Sequence, residues 1–136
     1  MIKPFGKIRA EHLRLGTAGE NAACRLLKSK FYDILARNYK CSYGEIDIVA
    51  RDGATLVFLE VKSRRDKTNA RPARGLSTEQ KKRIRRAGTH YLREIENPSV
   101  VYRFDLIEVV FSRYGIREIR QWQNHITPKD MIRRKW

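Results

Sequence analysis

Residues 44–62 read GEIDIVARDGATLVFLEVK. Two runs of β-forming residues flank Asp52-Gly53, the pattern of a tight hairpin. The charges are unusual for such a hairpin. Glu45, Asp47, Glu60 and Lys62 stand in strands otherwise built of Ile, Val, Leu and Phe. Side chains alternate between the two faces of a strand, which puts Glu45, Asp47 and Val49 on one side and Ile46, Ile48 and Ala50 on the other. With Asp52-Gly53 as the turn, Arg51 pairs with Ala54, Asp47 lies opposite Phe58, and Glu45 lies opposite Glu60. Glu45, Asp47, Glu60 and Lys62 then share one face, with Asp47 and Glu60 as diagonal neighbours about 7 Å apart at the backbone.

Carboxylates that close repel unless a proton or a cation sits between them. Oxygen ligands with room left for water suit Mg²⁺ or Mn²⁺. Lys62, two residues beyond Glu60, points the same way, and an ammonium beside a metal-bound water orients that water and balances charge on a phosphate. A solvated sheet face explains one such carboxylate. It does not explain Glu45 directly opposite Glu60, a like-charge pair that a hairpin selected for stability alone avoids.

Outward from the hairpin, the chain reads as one α/β domain. Ala18, Ala22, Ala23, Leu26 and Leu27 form a helical apolar stripe over residues 16–30, with Glu20 at the border of its buried face. FYDILARNYK, residues 31–40, is a strand, and CSYG punctuates it before the hairpin. Ser77 followed by Gln80 is a capping box. It opens a second helix to Ile95 whose buried stripe is Ile84, Ala87, Tyr91, Leu92 and Ile95. VVYRFDLIEVVF and a last strand near IREIRQW follow. The order αβββαββ implies a mixed sheet flanked by helices. The expected division is a basic N-terminal arm over 1–15, the α/β domain over 16–125 and a basic tail over 126–136.

The 136 residues carry a formal net charge of +15, a surplus that points to a polyanionic partner. No apolar run approaches the ~20 residues of a membrane span, and the N-terminal stretch lacks the apolar core of a signal peptide. Cys24 and Cys41, with no CxxC spacing, read as reduced thiols. The expected location is therefore cytoplasmic, without a membrane partner.

Taken together, these residues resemble a known group. Asp47, then Glu60-Val61-Lys62, on adjacent strands preceded by a helix carrying Glu20, resembles the PD-(D/E)-x-K nuclease superfamily, the restriction-endonuclease-like fold that includes archaeal Holliday junction resolvases. The finer resemblance is to the YraN-like family of small bacterial proteins. It is carried by Gly19-Glu20-Asn21-Ala22-Ala23, Asn38, residues 44–50, residues 57–62 with Arg64, Lys81 with Arg83, and Arg103-Phe104-Asp105. Ile46 stands where the superfamily name has proline. Gln80 is followed four residues later by Ile84, so the branch with Gln-x-x-x-Tyr in the second helix does not match. The resemblance implies a core of helix, three strands, helix and strand. It also implies that Glu20, Asp47 and Glu60 surround a divalent metal, that Asp47, Glu60 and Lys62 are catalytic, and that Lys62 is the catalytic lysine. Glu45, Gln80 and Asp105 are candidates for supporting positions around that set, Asp105 alternatively as a partner of Arg103.

Between Lys62 and Arg86, eleven Lys and Arg stand against Asp66 and Glu79. Arg64, Arg65, Lys67, Arg71, Arg74, Lys81, Lys82, Arg83, Arg85 and Arg86 are the candidate nucleic-acid contacts, since charge concentrated beside a carboxylate cluster suits a polyphosphate backbone. The function this reading expects is Mg²⁺- or Mn²⁺-dependent hydrolysis of phosphodiester bonds in DNA, favoured over RNA, with branched or junction DNA as the substrate form and a homodimer suited to a symmetric junction. The alternative is a nucleic-acid-binding protein that keeps the fold without cutting.

Overall fold

In the computed structural model, residues 5–66, 75–97 and 99–127 are described, the side chains of 5–13 excepted. Lys67, Arg71 and Arg74, and the tail beyond Thr127, lie outside the described residues. Two helices and five strands follow in the order α1 (Phe5–Ser29), β1 (Asp33–Cys41), β2 (Gly44–Asp52), β3 (Thr55–Arg65), α2 (Thr78–Ile95), β4 (Val101–Ser112) and β5 (Gly115–Ile126). The strands form one mixed sheet in sequential order, antiparallel except for β3 beside β4. A parallel neighbour needs a crossover, and α2 supplies it. Helix α1 begins at Phe5, well before the Gly16 at which its apolar stripe becomes legible.

The helices cover opposite faces of the sheet. Ala22, Ala23 and Leu27 of α1 pack with Ile48, Ala50, Val57, Leu59, Ile107 and Val109. Ile84 and Ala87 of α2 pack with Ile46, Val49, Leu56, Phe58, Phe104 and Leu106. Helix α2 starts as the sequence predicts: the Ser77 hydroxyl accepts from the Gln80 N–H and the Gln80 side chain accepts from the Ser77 N–H. Its stripe ends sooner than expected, with Ile95 left exposed. Among the described residues, no helix is long and apolar enough to cross a membrane. Cys24 is buried, Cys41 is half-buried, and both are free thiols.

Two features of the hairpin differ from the sequence reading, and both shape the site. The turn is Gly53-Ala54, not Asp52-Gly53: Asp52 pairs with Thr55 and Arg51 with Leu56. Gly53 takes a φ of 61°, and glycine in the first central position is the residue order of a type II′ turn. The new register moves every partner by two residues, so Val49 rather than Asp47 faces Phe58.

The second difference is a change of face. Val57 and Leu59 turn to α1 while Leu56 and Phe58 turn to α2, so β3 alternates cleanly. Strand β2 does not. Ile46 and Val49 lie on the α2 side, whereas Ile48 and Ala50 lie on the α1 side. The strand therefore switches faces at Asp47, and the expected grouping of Glu45, Asp47 and Val49 on one side is replaced by a break between them. Strand β1 breaks beside it. Arg37 pairs with Ile48 and bonds Asn21 of α1, while Tyr39 pairs with Ile46 and bonds Glu94 of α2. Between them Asn38 adopts φ 53°, the left-handed conformation that Asn tolerates better than most residues.

Candidate functional site

Where β2 switches faces, it also leaves β3. Their pairing ends at Ile48–Leu59, while β3 stays paired to β4 as far as Arg65–Phe111. The result is a fork with Asp47 on one arm and Glu60 on the other. The N–H of Val61, just past the last paired residues, donates to Asp47 Oδ2 at 2.8 Å. Asp47 is only 7% exposed. The Asp47 and Glu60 carboxyl groups line one pocket, close enough for the Asp47 charge to raise Glu60. Two carboxyl groups that close are accommodated by a proton or a cation between them.

The electrostatics agree with that geometry. Burial pushes the Glu60 carboxyl up to about 9, aided by the Asp47 charge and the hydrogen bond to it, while Lys62 pulls the other way. Burial raises Asp47 as well, opposed by the Val61 N–H and the Glu60 hydrogen bond. Glu45 adds negative charge that both groups feel. It does not face Glu60; it pairs with Lys40 of β1 and is exposed.

Glu20 reaches the same cleft from α1. A pocket of about 420 Å³ is lined by Glu20, Asp47, Glu60, Lys62 and Ser63, with Gly16 at its rim. Burial raises the Glu20 carboxyl first, and the Asp47 charge raises it further, against the pull of Arg37 and Asn38. Arg37 Nη2 lies 3.6 Å from Glu20 Oε1. The structure thus brings Asp47 and Glu60 into contact and sets Lys62 beside them. Glu20 stands across the same pocket with its carboxylate turned towards β1.

A close approach of α1 to β3 makes this possible. A Cβ on Gly19 would lie 1.8 Å from Ser63 Oγ, so only glycine allows the helix to sit here and present Glu20 to the fork. Ser63 Oγ is itself buried without a hydrogen-bond partner, an uncommon state for a buried hydroxyl. The sequence reading names neither Ser63 nor the Arg37–Asn38 pair that holds Glu20. Its only signal for them was Gly19-Glu20 and Asn38 among the residues of the resemblance.

The supporting candidates separate clearly. Gln80 is spent on its capping box. Asp105 is fully committed elsewhere: it accepts from Arg103 Nε at 3.1 Å, from the Gln121 side chain at 3.0 Å and from the Asn124 N–H at 2.9 Å. Arg103 in turn bonds the Tyr32 hydroxyl and Asp52. This cluster ties the α1–β1 connection, the hairpin, β4 and β5 together and does not reach the fork.

A buried acid that the sequence reading passes over stands beside Lys62. Glu108 is 2% exposed, pairs with Lys62 across β3–β4, and lies 3.4 Å from Arg64 Nε. Of the other basic candidates, Lys82 lies 4.0 Å from Glu79, and Arg83 packs against Gly44 where β2 begins, three residues from Asp47. Arg65, Arg85 and Arg86 are half-buried or exposed, as is Lys81.

Hard oxygen donors facing each other across a shared proton fit a small divalent cation, which replaces the proton and relieves the repulsion. Among the described residues, no three acidic, imidazole or thiol side chains converge tightly enough to form an all-protein cage. A larger pocket of about 530 Å³ at the C-terminal end of α2, lined by Leu92, Val100 and Tyr102 among others, is mostly apolar and contains none of these groups.

Comparison with known proteins points in one direction. Residues 19–109 match the model of the uncharacterised protein family UPF0102. A UPF0102 protein of Chlorobaculum tepidum is 40% identical over 119 residues, covering 87% of this chain and 92% of the relative. One from Symbiobacterium thermophilum is 40% identical over 111 residues, covering 82% and 94%. One from a Parafrankia species is 43% identical over 102 residues, covering 75% and 86%. The matched span takes in Gly19, Glu20, Asn38, Asp47, Glu60, Lys62, Ser63 and Glu108.

Proposed function

The chain belongs to the UPF0102 family, and from the chemistry of its fork we propose that it is a metal-dependent nuclease of the restriction-endonuclease-like kind, acting on the phosphodiester bonds of DNA. The observation that carries the reading is the Asp47 and Glu60 carboxyls facing one pocket with Lys62 where the β2–β3 pairing ends. A protein gains no stability from two buried carboxyls that must share a proton. Such pairs are kept for what they bind or transfer.

Asp47 and Glu60 would hold Mg²⁺ or Mn²⁺, with Glu20 facing the ion's water shell. The bound ion supplies a Lewis acid for the phosphate oxygens and an acidified water. Lys62, next to Glu60 on the fork's inner arm, holds its ammonium where it orients the attacking water and offsets charge developing on the phosphate. The Val61 N–H holds the Asp47 carboxylate in place through Oδ2. Arg64, locked by buried Glu108, and the basic first turns of α2 beside Gly44 supply positive charge along the approach to the cleft.

A second reading has its own support. Glu20 is engaged by Arg37 and Asn38, which leaves two carboxyls rather than three for an ion. That favours a protein that binds nucleic acid without turning it over. Labelled single-stranded, duplex, flap and four-way-junction DNA, incubated with Mg²⁺ or Mn²⁺, separates the two. Cutting that Glu60→Ala and Lys62→Ala both lose supports the nuclease. Salt-sensitive binding with no cutting under either metal supports the binding module.

A further inference from the structure

Beside the carboxylate cleft lies a second pocket of about 330 Å³, lined by Arg14 of α1, Arg65 of β3 and Arg113 of the β4–β5 turn, over a floor of Leu15, Ala18 and Phe111. Leu15 lines both pockets, so the two adjoin. Among the described residues, no carboxylate lines the second one. Its three arginines are exposed and take part in no ion pair or hydrogen bond among the described residues. Elsewhere on the sheet arginine is partnered: Arg37, Arg51, Arg64, Arg103, Arg117 and Arg120 each pair with an acid. Asp66, the acid next to Arg65, is taken by Arg117. The hydroxyl of Ser112 is turned back on the hairpin, where it donates to the Gly115 carbonyl.

Three guanidinium groups from three separate elements, converging on one concavity without a counter-charge, match the geometry of a phosphate. We propose that this pocket is a phosphate subsite for a nucleic-acid strand that has another phosphate, a few nucleotides away, at the Asp47–Glu60 fork. The strand itself rests on the functional reading above; the phosphate binding does not depend on cleavage. Arg65 is three residues along β3 from Lys62, about 10 Å. That is roughly the rise of three base pairs of duplex, so one strand spans both sites. The phosphate is either an internal diester or a terminal 5′-phosphate, and the same three side chains serve both.

The test is binding in EDTA, where no metal chemistry contributes. Arg14→Gln/Arg113→Gln is compared with Arg25→Gln/Lys28→Gln, an equal charge loss on the exposed side of α1 further along the helix. Each uses a labelled duplex carrying either a 5′-phosphate or a 5′-hydroxyl at a recessed end. Both variants change exposed side chains, and a melting curve checks that each is folded. The expected result is at least about a tenfold loss of affinity for the first pair against less than about threefold for the second, with the slope of log K against log salt shallower by about 2 in the first. If the loss is larger with the 5′-phosphate, the pocket takes a strand end; if it is equal on both duplexes, it takes an internal phosphate. Equal losses in the two double variants, or no salt-sensitive binding by the wild type, overturn the subsite. Wild-type binding that depends on Arg14 and Arg113 but yields no cutting with Mg²⁺ or Mn²⁺ overturns the nuclease reading and leaves the subsite standing.

Discussion

Asp105 and Asp47 are both buried in the same sheet, and their surroundings treat them in opposite ways. Around Asp105, Arg103 supplies the counter-charge and Gln121 and Asn124 supply further donors, so every part of the carboxylate is matched. Around Asp47 the nearest strong partner is a second carboxyl, Glu60, with Glu45 and Glu20 adding negative charge. Only the Val61 N–H and the Lys62 charge oppose them. A buried charge that is fully paired is structure. A buried cluster left short of positive charge is a place where something positive binds.

The largest test of this contrast is deletion of each acid. Asp105→Ala removes the buried partner of Arg103 and leaves it only the more exposed Asp52, and loss of one partner of a buried pair costs about 3–5 kcal/mol. The denaturant midpoint should fall accordingly. Glu60→Ala, measured metal-free above about pH 9, where both carboxyls are ionised, should have the opposite sign or no cost, because it removes a repulsive neighbour of Asp47. Equal destabilisation by the two substitutions would break the contrast.

Metal should act on one cluster only. With Mn²⁺ at a hundred times its dissociation constant, binding to the native state alone adds about 2.7 kcal/mol, read as a rise in melting temperature. Asp105→Asn should keep that increment on top of its own loss. Glu60→Gln and Asp47→Asn should each abolish it. A metal-induced rise that survives in Glu60→Gln would move the ion away from the fork.

The fork also depends on the seat of α1. Gly19→Ala drives a methyl into Ser63 Oγ, and overpacking of this kind costs about 1–3 kcal/mol. Adding Ser63→Gly should recover most of the stability. An unaffected Gly19→Ala protein would mean that α1 does not need this close approach to deliver Glu20.

Element order, the capped start of α2 and the pairing of Asp47 with Glu60 and Lys62 were all legible in the sequence. They rest on strand alternation, the Ser77–Gln80 box and residue types at fixed spacing, all of them local signals. What was not legible came from backbone events and long-range packing. The turn moved by one residue because Gly53 serves as its first central residue. The face switch at Asp47 depends on the left-handed Asn38 in the neighbouring strand, and alternation alone gives no warning of it. Asp105 read from Arg103-Phe104-Asp105 either as a supporting acid or as the partner of Arg103; it is the latter, and its further partners Gln121 and Asn124 leave no mark in that motif. Arg14 and Arg113 stand 99 positions apart in the chain, and only the packing of α1 against the β4–β5 turn brings them to one pocket.

The last expected effect concerns pH and bears most directly on the shared proton. The Glu60 carboxyl titrates at about 9 in the folded chain against 4.5 when free. Between those values the folded state binds the extra proton, so stability must fall as pH rises. The contribution is complete below about 4.5 and is lost on passing through about 9. Asp47 and Glu20 are shifted in the same direction and add to the slope. The decline in metal-free protein should amount to at least about 1.4 kcal/mol, the equivalent of one pKa unit. Glu60→Gln keeps a donor to Asp47 while removing the second charge, so its slope should be markedly flatter. Mn²⁺ favours the ionised pair, so its affinity should rise over the same range and offset the decline. If stability instead rises with pH in the wild type and Glu60→Gln leaves the curve unchanged, the two carboxyls do not share a proton, and the fork is compensated as fully as the cluster around Asp105.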